Sequence, residues 1–149
     1  MWMRIGNFLI TLILHSPLHG MMSRRTLVIE YEGSRSGKAF AVPANYAEEG
    51  SDFLVSTSYE RTWWRNFRTP HPASLIVRGR RMPVLGTSFT KADQVVPLLK
   101  RYVQKIPQAA HYFGIALMDD GSPCREDLVH ASKERIMVRF EVQQRAGGE

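Results

Sequence analysis

At 149 residues the chain is long enough to bury one core and too short for two domains of ordinary size. A hydrophobic fraction of 44% and a charged fraction of 23% exclude a disordered protein, and the single cysteine, Cys124, excludes an intramolecular disulfide or a multi-cysteine metal site. The net charge is +6, yet Arg61 to Ala92 holds six arginines and Lys91 with no Asp or Glu, so that window carries +7 and the remainder −1.

Ile5, Phe8, Leu9, Leu12 and Ile13 fall at helical spacing, so residues 1–24 are expected to form an amphipathic helical segment, one helix to His15 and a shorter one from Leu18 to Ser23. Its apolar run is too short to span a bilayer and lacks the small-residue cleavage site of a signal peptide. Packing on the rest of the protein is the expected use, and lying on a membrane surface is the other one open to such a helix.

From Thr26 to Glu32, Leu27, Ile29 and Tyr31 alternate with Val28, Glu30 and Glu32, the pattern of a half-buried strand. A turn, Gly33-Ser34-Arg35-Ser36-Gly37-Lys38, leads into a strand in which Phe40, Val42, Ala44 and Tyr46 share one side. Pro43 has no N–H, so this strand belongs at an edge or carries a bulge. Glu48 to Ser51 reads as a hairpin loop, Asp52 to Ser58 as the next strand, and Thr62 to Arg68 as a short helix stopped by Thr69-Pro70-His71-Pro72. Ala73 to Arg78 and Arg80 to Phe89 read as strands about a tight turn at Gly79.

Thr90 to Asp93 has the form of a capping box. Val95, Leu98, Leu99, Tyr102 and Ile106 then make one apolar stripe on a helix that Pro107 ends, with a shorter helical piece at Ala109 to Phe113. Asp119-Asp120-Gly121 reads as a turn, Ser122 with Pro123 as the start of a helix to Ala131, and Arg135 to Val142 as a last strand. Residues 25–145 are thus expected to form one α+β barrel-like domain of about six mostly antiparallel strands with flanking helices.

The turn carries the first functional signal. Two glycines free the backbone to aim N–H groups at one spot, while Arg35 and Lys38 add fixed positive charge, a combination that suits a phosphate. Two adjacent indoles, Trp63 and Trp64, follow among Arg61, Arg65 and Arg68, where they could cover a flat ring. Otherwise the chain offers no self-sufficient catalyst. Its five histidines (15, 19, 71, 111 and 130) have no metal-ligand spacing, and serine-nucleophile motifs are absent. When a cofactor does the chemistry, the protein need only hold and tune it.

These blocks resemble the deazaflavin-dependent nitroreductase family, split-β-barrel proteins related to the flavin mononucleotide-binding pyridoxamine-phosphate oxidases. The resemblance runs from about Leu27 to Pro107 and rests on the turn Gly33 to Gly37, Pro43, the run Phe53 to Ser58, and Trp63-Trp64-Arg65-Asn66-Phe67. It departs from the family pattern at Ser34, at Phe40, and in the short loop Tyr59-Glu60-Arg61, where Arg61 is the candidate replacement cation.

The resemblance implies a split barrel that binds coenzyme F-420, with flavin mononucleotide as the alternative, and passes a hydride to a quinone, nitro compound or similar small acceptor. A haem binder and a non-enzymatic cofactor-binding protein stay open. It implies that Arg35, Ser36, Gly37 and Lys38 hold the phosphate and that Val42 and Pro43 line the ring. Ser56, Thr57 and Ser58 would meet the ring's polar edge, Trp63 or Trp64 would pack on the ring or its chain, and Asn66 would donate to a carbonyl or hydroxyl. Tyr46, Tyr102 and Tyr112 are the polar aromatics expected to reach the substrate pocket. A homodimer in the cytoplasm, with no metal and no nucleic acid, completes the expectation. The +7 window favours F-420, whose polyglutamate tail makes it the longer anion.

Overall fold

The computed structural model describes residues 26–143; the helices expected before Ser23 and the tail after Gln143 lie outside the described residues. Seven strands form one antiparallel sheet: β1 (Thr26–Glu32), β2 (Ala39–Asn45), β3 (Ala47–Glu49), β4 (Asp52–Ser58), β5 (His71–Val77), β6 (Arg80–Phe89) and β7 (Arg135–Val142). The spatial order is β2-β1-β5-β6-β7-β4-β3, and the sheet curls until β2 approaches β4. A 3₁₀ helix (Trp63–Phe67) follows β4, and three α-helices, α1 (Ala92–Lys105), α2 (Pro107–Tyr112) and α3 (Arg125–Ala131), lie between β6 and β7. The α+β split barrel anticipated from the sequence is therefore the observed fold.

Pro43 behaves as its chemistry requires. Among the described residues strand β2 lies at the sheet's edge and pairs only with β1, placing Pro43 opposite Val28. The β5–β6 hairpin turns on Arg78 and Gly79, both at positive φ (52° and 79°), the pair of conformations a tight two-residue hairpin demands.

Leu27, Ile29, Tyr31, Val55, Leu75, Val77, Ile136, Val138 and Phe140 fill the barrel's interior. Phe67 plugs one end. It is fully buried and meets Tyr31 and Phe140 edge-on at 5.4 Å each, with Trp63 and His71 also in ring contact. Gly86 makes room for this plug: a Cβ there would stand 2.6 Å from Phe67 Cδ1 and 2.7 Å from Phe140 Cε1. A second core lies outside the barrel, where Val95, Leu98, Leu99, Tyr102 and Val103 of α1 cover Leu54 and Met137.

Several local expectations are corrected. Ala47 to Glu49 is a strand paired with β4, so the hairpin loop shrinks to Gly50 and Ser51. His71 and Pro72 open β5 instead of standing as a stop. No capping box forms at Thr90, because the first helical bonds run from the Gln94 and Val95 N–H groups to the Lys91 carbonyl. Lys91 is thus the N-cap and Thr90 stands outside. Pro107 both ends α1 and occupies the first position of α2, and α3 starts at Arg125, with Ser122 hydrogen-bonded instead to Asp120.

Strand β1 is buried on both faces, not one. On the outer face Val28 and Ile76 pack together beside Glu30, a fully buried carboxylate with Arg81 Nη2 3.3 Å from its Oε2. Burial pushes the Glu30 pKa above the ordinary carboxylate value, and the Arg81 charge opposes that rise.

Candidate functional site

The curl of the sheet leaves a cleft of about 580 Å³ between β2, the end of β4, the 3₁₀ helix and the helical layer. Val42, Pro43, Ala44 and Asn45 form one wall, and Ser56, Thr57 and Ser58 supply polar groups from β4. Trp63 comes from the 3₁₀ helix, while Tyr102, Ala109, Tyr112 and Phe113 come from α1, α2 and the residue after it. Arg61, and Arg135 at the start of β7, are its two cations among the described residues.

The wall on β2 exists because Pro43 keeps that strand at an edge, where no further strand among the described residues covers it. The opposite side exists because α1 packs its apolar stripe on β4 and β7, bringing Tyr102 to the cleft. Tyr102 is 4% exposed, and that burial raises its pKa, opposed by the Arg135 charge. Tyr112 is 85% exposed and stands at the rim. Among the described residues no His, Cys or Met lines this space.

Arg135 is fixed from two sides. Its Nε donates to Ser56 Oγ at 3.0 Å, and its guanidinium carbon lies 4.5 Å from the centre of the Phe113 ring. Desolvation lowers its pKa, opposed by Tyr102 and Glu134. In the sequence Arg135 is an arginine at a strand's start, which reads as an ordinary surface charge. Its partner residues, Ser56 and Phe113, are 79 and 22 positions away in the chain, so no local signal marks it.

Of the twelve residues expected at the site, the cleft gathers Val42, Pro43, Ser56, Thr57, Ser58 and Trp63. Arg35, Ser36, Gly37 and Lys38 lie on the exposed β1–β2 turn, with Lys38 about 13 Å before Val42 at strand spacing. There Gly33 N–H bonds the Lys38 carbonyl at 2.8 Å and Gly37, at φ 69°, gives its N–H to the Gly33 carbonyl at 2.9 Å. Ser36 Oγ accepts from the Lys38 N–H. The N–H groups of Arg35 and Ser36 are the ones no described residue takes, so the turn offers those two donors and two cations.

Trp64 is not in the cleft. It is buried, its Nε1–H donates to the Arg61 carbonyl at 2.7 Å, and Arg65 and Arg68 lie over its ring at 5.6 Å and 5.4 Å. Asn66 is also outside. Its Oδ1 accepts from both the N–H and the hydroxyl of Ser34, at 2.9 Å and 3.2 Å, and its Nδ2 donates to the Trp63 carbonyl. Asn66 thereby ties the cationic turn to the helix that carries Trp63. Tyr46, expected to reach the pocket, is buried against Phe53 in the barrel instead.

The basic window is partly neutralised: Arg78 pairs with Glu48 at 2.8 Å and Arg81 with Glu30 at 3.2 Å. Among the described residues no group of three or more His, Cys, Asp or Glu is placed to hold a metal, and no helix is long and apolar enough to cross a membrane.

No family model matches the sequence, and no curated protein does. Solved structures do match by shape. One described as a domain-swapped dimer aligns over 93% of this chain and 96% of its own, with a TM-score of 0.53 and 14% identity. An F420-H2 dependent reductase aligns over 80% and 95%, with a TM-score of 0.51 and 17% identity. The haem storage protein HutZ from Vibrio cholerae aligns over 87% and 91%, with a TM-score of 0.51 and 14% identity. The chain therefore has the split β-barrel fold found among deazaflavin-dependent reductases and haem- and flavin-binding proteins. At these identities the likeness speaks for the fold, and it meets the sequence resemblance there.

Proposed function

We propose that the protein is an oxidoreductase that binds a planar phosphorylated cofactor, coenzyme F-420, and passes its hydride to a quinone, nitro compound or similar small acceptor. The observation that carries this reading is the cleft itself. It joins a flat apolar wall (Val42, Pro43), an indole (Trp63) and a row of hydroxyls (Ser56 to Ser58) in a volume typical of small-molecule sites. Such a lining fits a tricyclic ring: apolar faces against Val42, Pro43 and Trp63, and polar edge atoms toward Ser56, Thr57 and Ser58. Bound there, the reduced cofactor supplies the hydride. The chain's residues exclude water from one ring face, orient the ring's edge and hold its anionic groups.

Flavin mononucleotide remains the alternative, since it shares the ring and the phosphate. Titration of the purified protein with F-420 and with flavin mononucleotide, followed by absorbance and fluorescence, tests the reading. Saturable binding of F-420, tighter than that of flavin mononucleotide, is expected; binding of neither would sink it.

We also propose a homodimer. Among the described residues strand β2 pairs on one side alone, beside the cleft, Phe40 and Tyr112 leave large rings in solvent, and a similar structure is itself a dimer. Light scattering at micromolar concentration should give twice the 17.0 kDa chain mass. A clean monomer in the presence of F-420 would overturn this.

A further inference from the structure

Among the described residues, the half-buried arginines on the outside of the barrel are, with one exception, paired. Arg81 has Glu30 at 3.2 Å, and Arg139, four residues after Arg135 on the same strand, has Asp52 at 3.1 Å and Glu49 at 3.4 Å. Arg135 is the exception. Its neighbours are a hydroxyl and an aromatic face, and no carboxylate among the described residues is within ion-pair distance. A guanidinium taken partly out of water without a counter-charge is costly, and its pKa is pushed down by that desolvation. Glu134, next in the chain, acts on it only at longer range.

The arrangement does more than bury a charge. Ser56 uses the Nε–H and Phe113 covers the face of the fork, which leaves the Nη donors as the part of the side chain with no described partner. Arginine presents such donors in a planar fork that matches a carboxylate or phosphate. Arg61, on the same cleft, is also without a described carboxylate.

We propose that Arg135 is the anion anchor of the cleft: its guanidinium, pre-set by Ser56 and Phe113, receives a carboxylate or phosphate on a planar ligand, with Arg61 as the second cation. The assignment rests on the cleft being a ligand site, the reading given above, and extends it to the ligand's charge. The anion has two sources, the cofactor's phosphate and a carboxylate on the acceptor.

Calorimetric titration of the full chain with benzoate, phenyl phosphate and neutral benzamide tests the anchor without any cofactor. The anions should bind about ten-fold or more tightly than benzamide. Arg135→Gln should abolish that preference, Arg135→Lys should keep part of it, and Ser56→Ala, which leaves the charge but frees the side chain, should reduce it several-fold. The Ser56 variant also keeps the test alive if Arg135→Gln does not fold. Equal binding of benzoate and benzamide to the unaltered protein, or a preference that survives both Arg135→Gln and Ser56→Ala, overturns the proposal.

Flavin mononucleotide against riboflavin separates the two sources. A phosphate advantage that collapses in Arg135→Gln assigns the anion to the cofactor. An intact advantage together with a lost benzoate preference assigns it to the acceptor. A protein that binds neither flavin mononucleotide nor F-420 yet prefers benzoate through Arg135 would refute the cofactor reading and leave the anchor standing.

Discussion

Phe67→Ala should cost about 3–5 kcal/mol of folding stability, the usual range for deleting a fully buried aromatic ring. The ring meets Tyr31, Trp63, His71 and Phe140, and Gly86 is small so that it can enter. Nothing nearby can collapse cheaply into the space, because the strands around it are held in ladder register on both sides. The loss should also reach function. Phe67 is the last residue of the 3₁₀ helix, so its ring anchors the element that carries Trp63 into the cleft and Asn66 to the turn. Urea denaturation of the two proteins measures the cost. A Phe67→Leu variant, retaining most of the apolar volume, should lose much less. A loss of under about 1 kcal/mol for Phe67→Ala would show that the ring is not the plug described here.

Much of this barrel could be read from residue order because its strands alternate. Leu27, Ile29 and Tyr31, or Ile136, Val138 and Phe140, declare an inward face by period alone, and Pro43 declares an edge by its missing donor. What escaped was whatever depends on the other face or on distant segments. Glu30 sits at a position the alternation assigns to solvent, and only the fold reveals it as buried beside Arg81. Ala47 to Glu49 was obscured by its two acidic residues, since three residues are too few for a period to speak.

The site was half legible for the same reason. Val42, Pro43 and Ser56 to Ser58 follow from where two strands must run. Choosing between adjacent indoles required the 3₁₀ geometry, which sends Trp63 toward the cleft and Trp64 beneath Arg65 and Arg68. Asn66, read as a cofactor donor, spends its amide on Ser34 and Trp63, a bond to a residue 32 positions away that no local pattern encodes. Arg135 needed three separate segments, around Ser56, Tyr102 and Phe113, to be brought together before its isolation became visible.

Arg35→Ala combined with Lys38→Ala should weaken binding of both F-420 and flavin mononucleotide about ten- to a hundred-fold, since a charge-assisted hydrogen bond is worth roughly 1.5–3 kcal/mol. Both side chains are exposed and neither takes part in an ion pair among the described residues, so the substitutions should leave stability within about 0.5 kcal/mol. The phosphate reading requires a further selectivity: riboflavin, which has the ring without the phosphate, should bind the double variant as well as it binds the original protein. Asn66→Ala should produce a milder form of the same phenotype, because it removes the acceptor that holds Ser34 and lets the turn drift from the helix beside the cleft. The turn and Arg135 then make opposing claims on one phosphate. If the double variant loses the phosphate advantage and Arg135→Gln keeps it, the phosphate lies on the turn about 13 Å along β2 from the ring wall, and Arg135 is free for the acceptor. Unchanged affinities for both cofactors in the double variant would return Arg35 and Lys38 to the role of solvated charges on a hairpin.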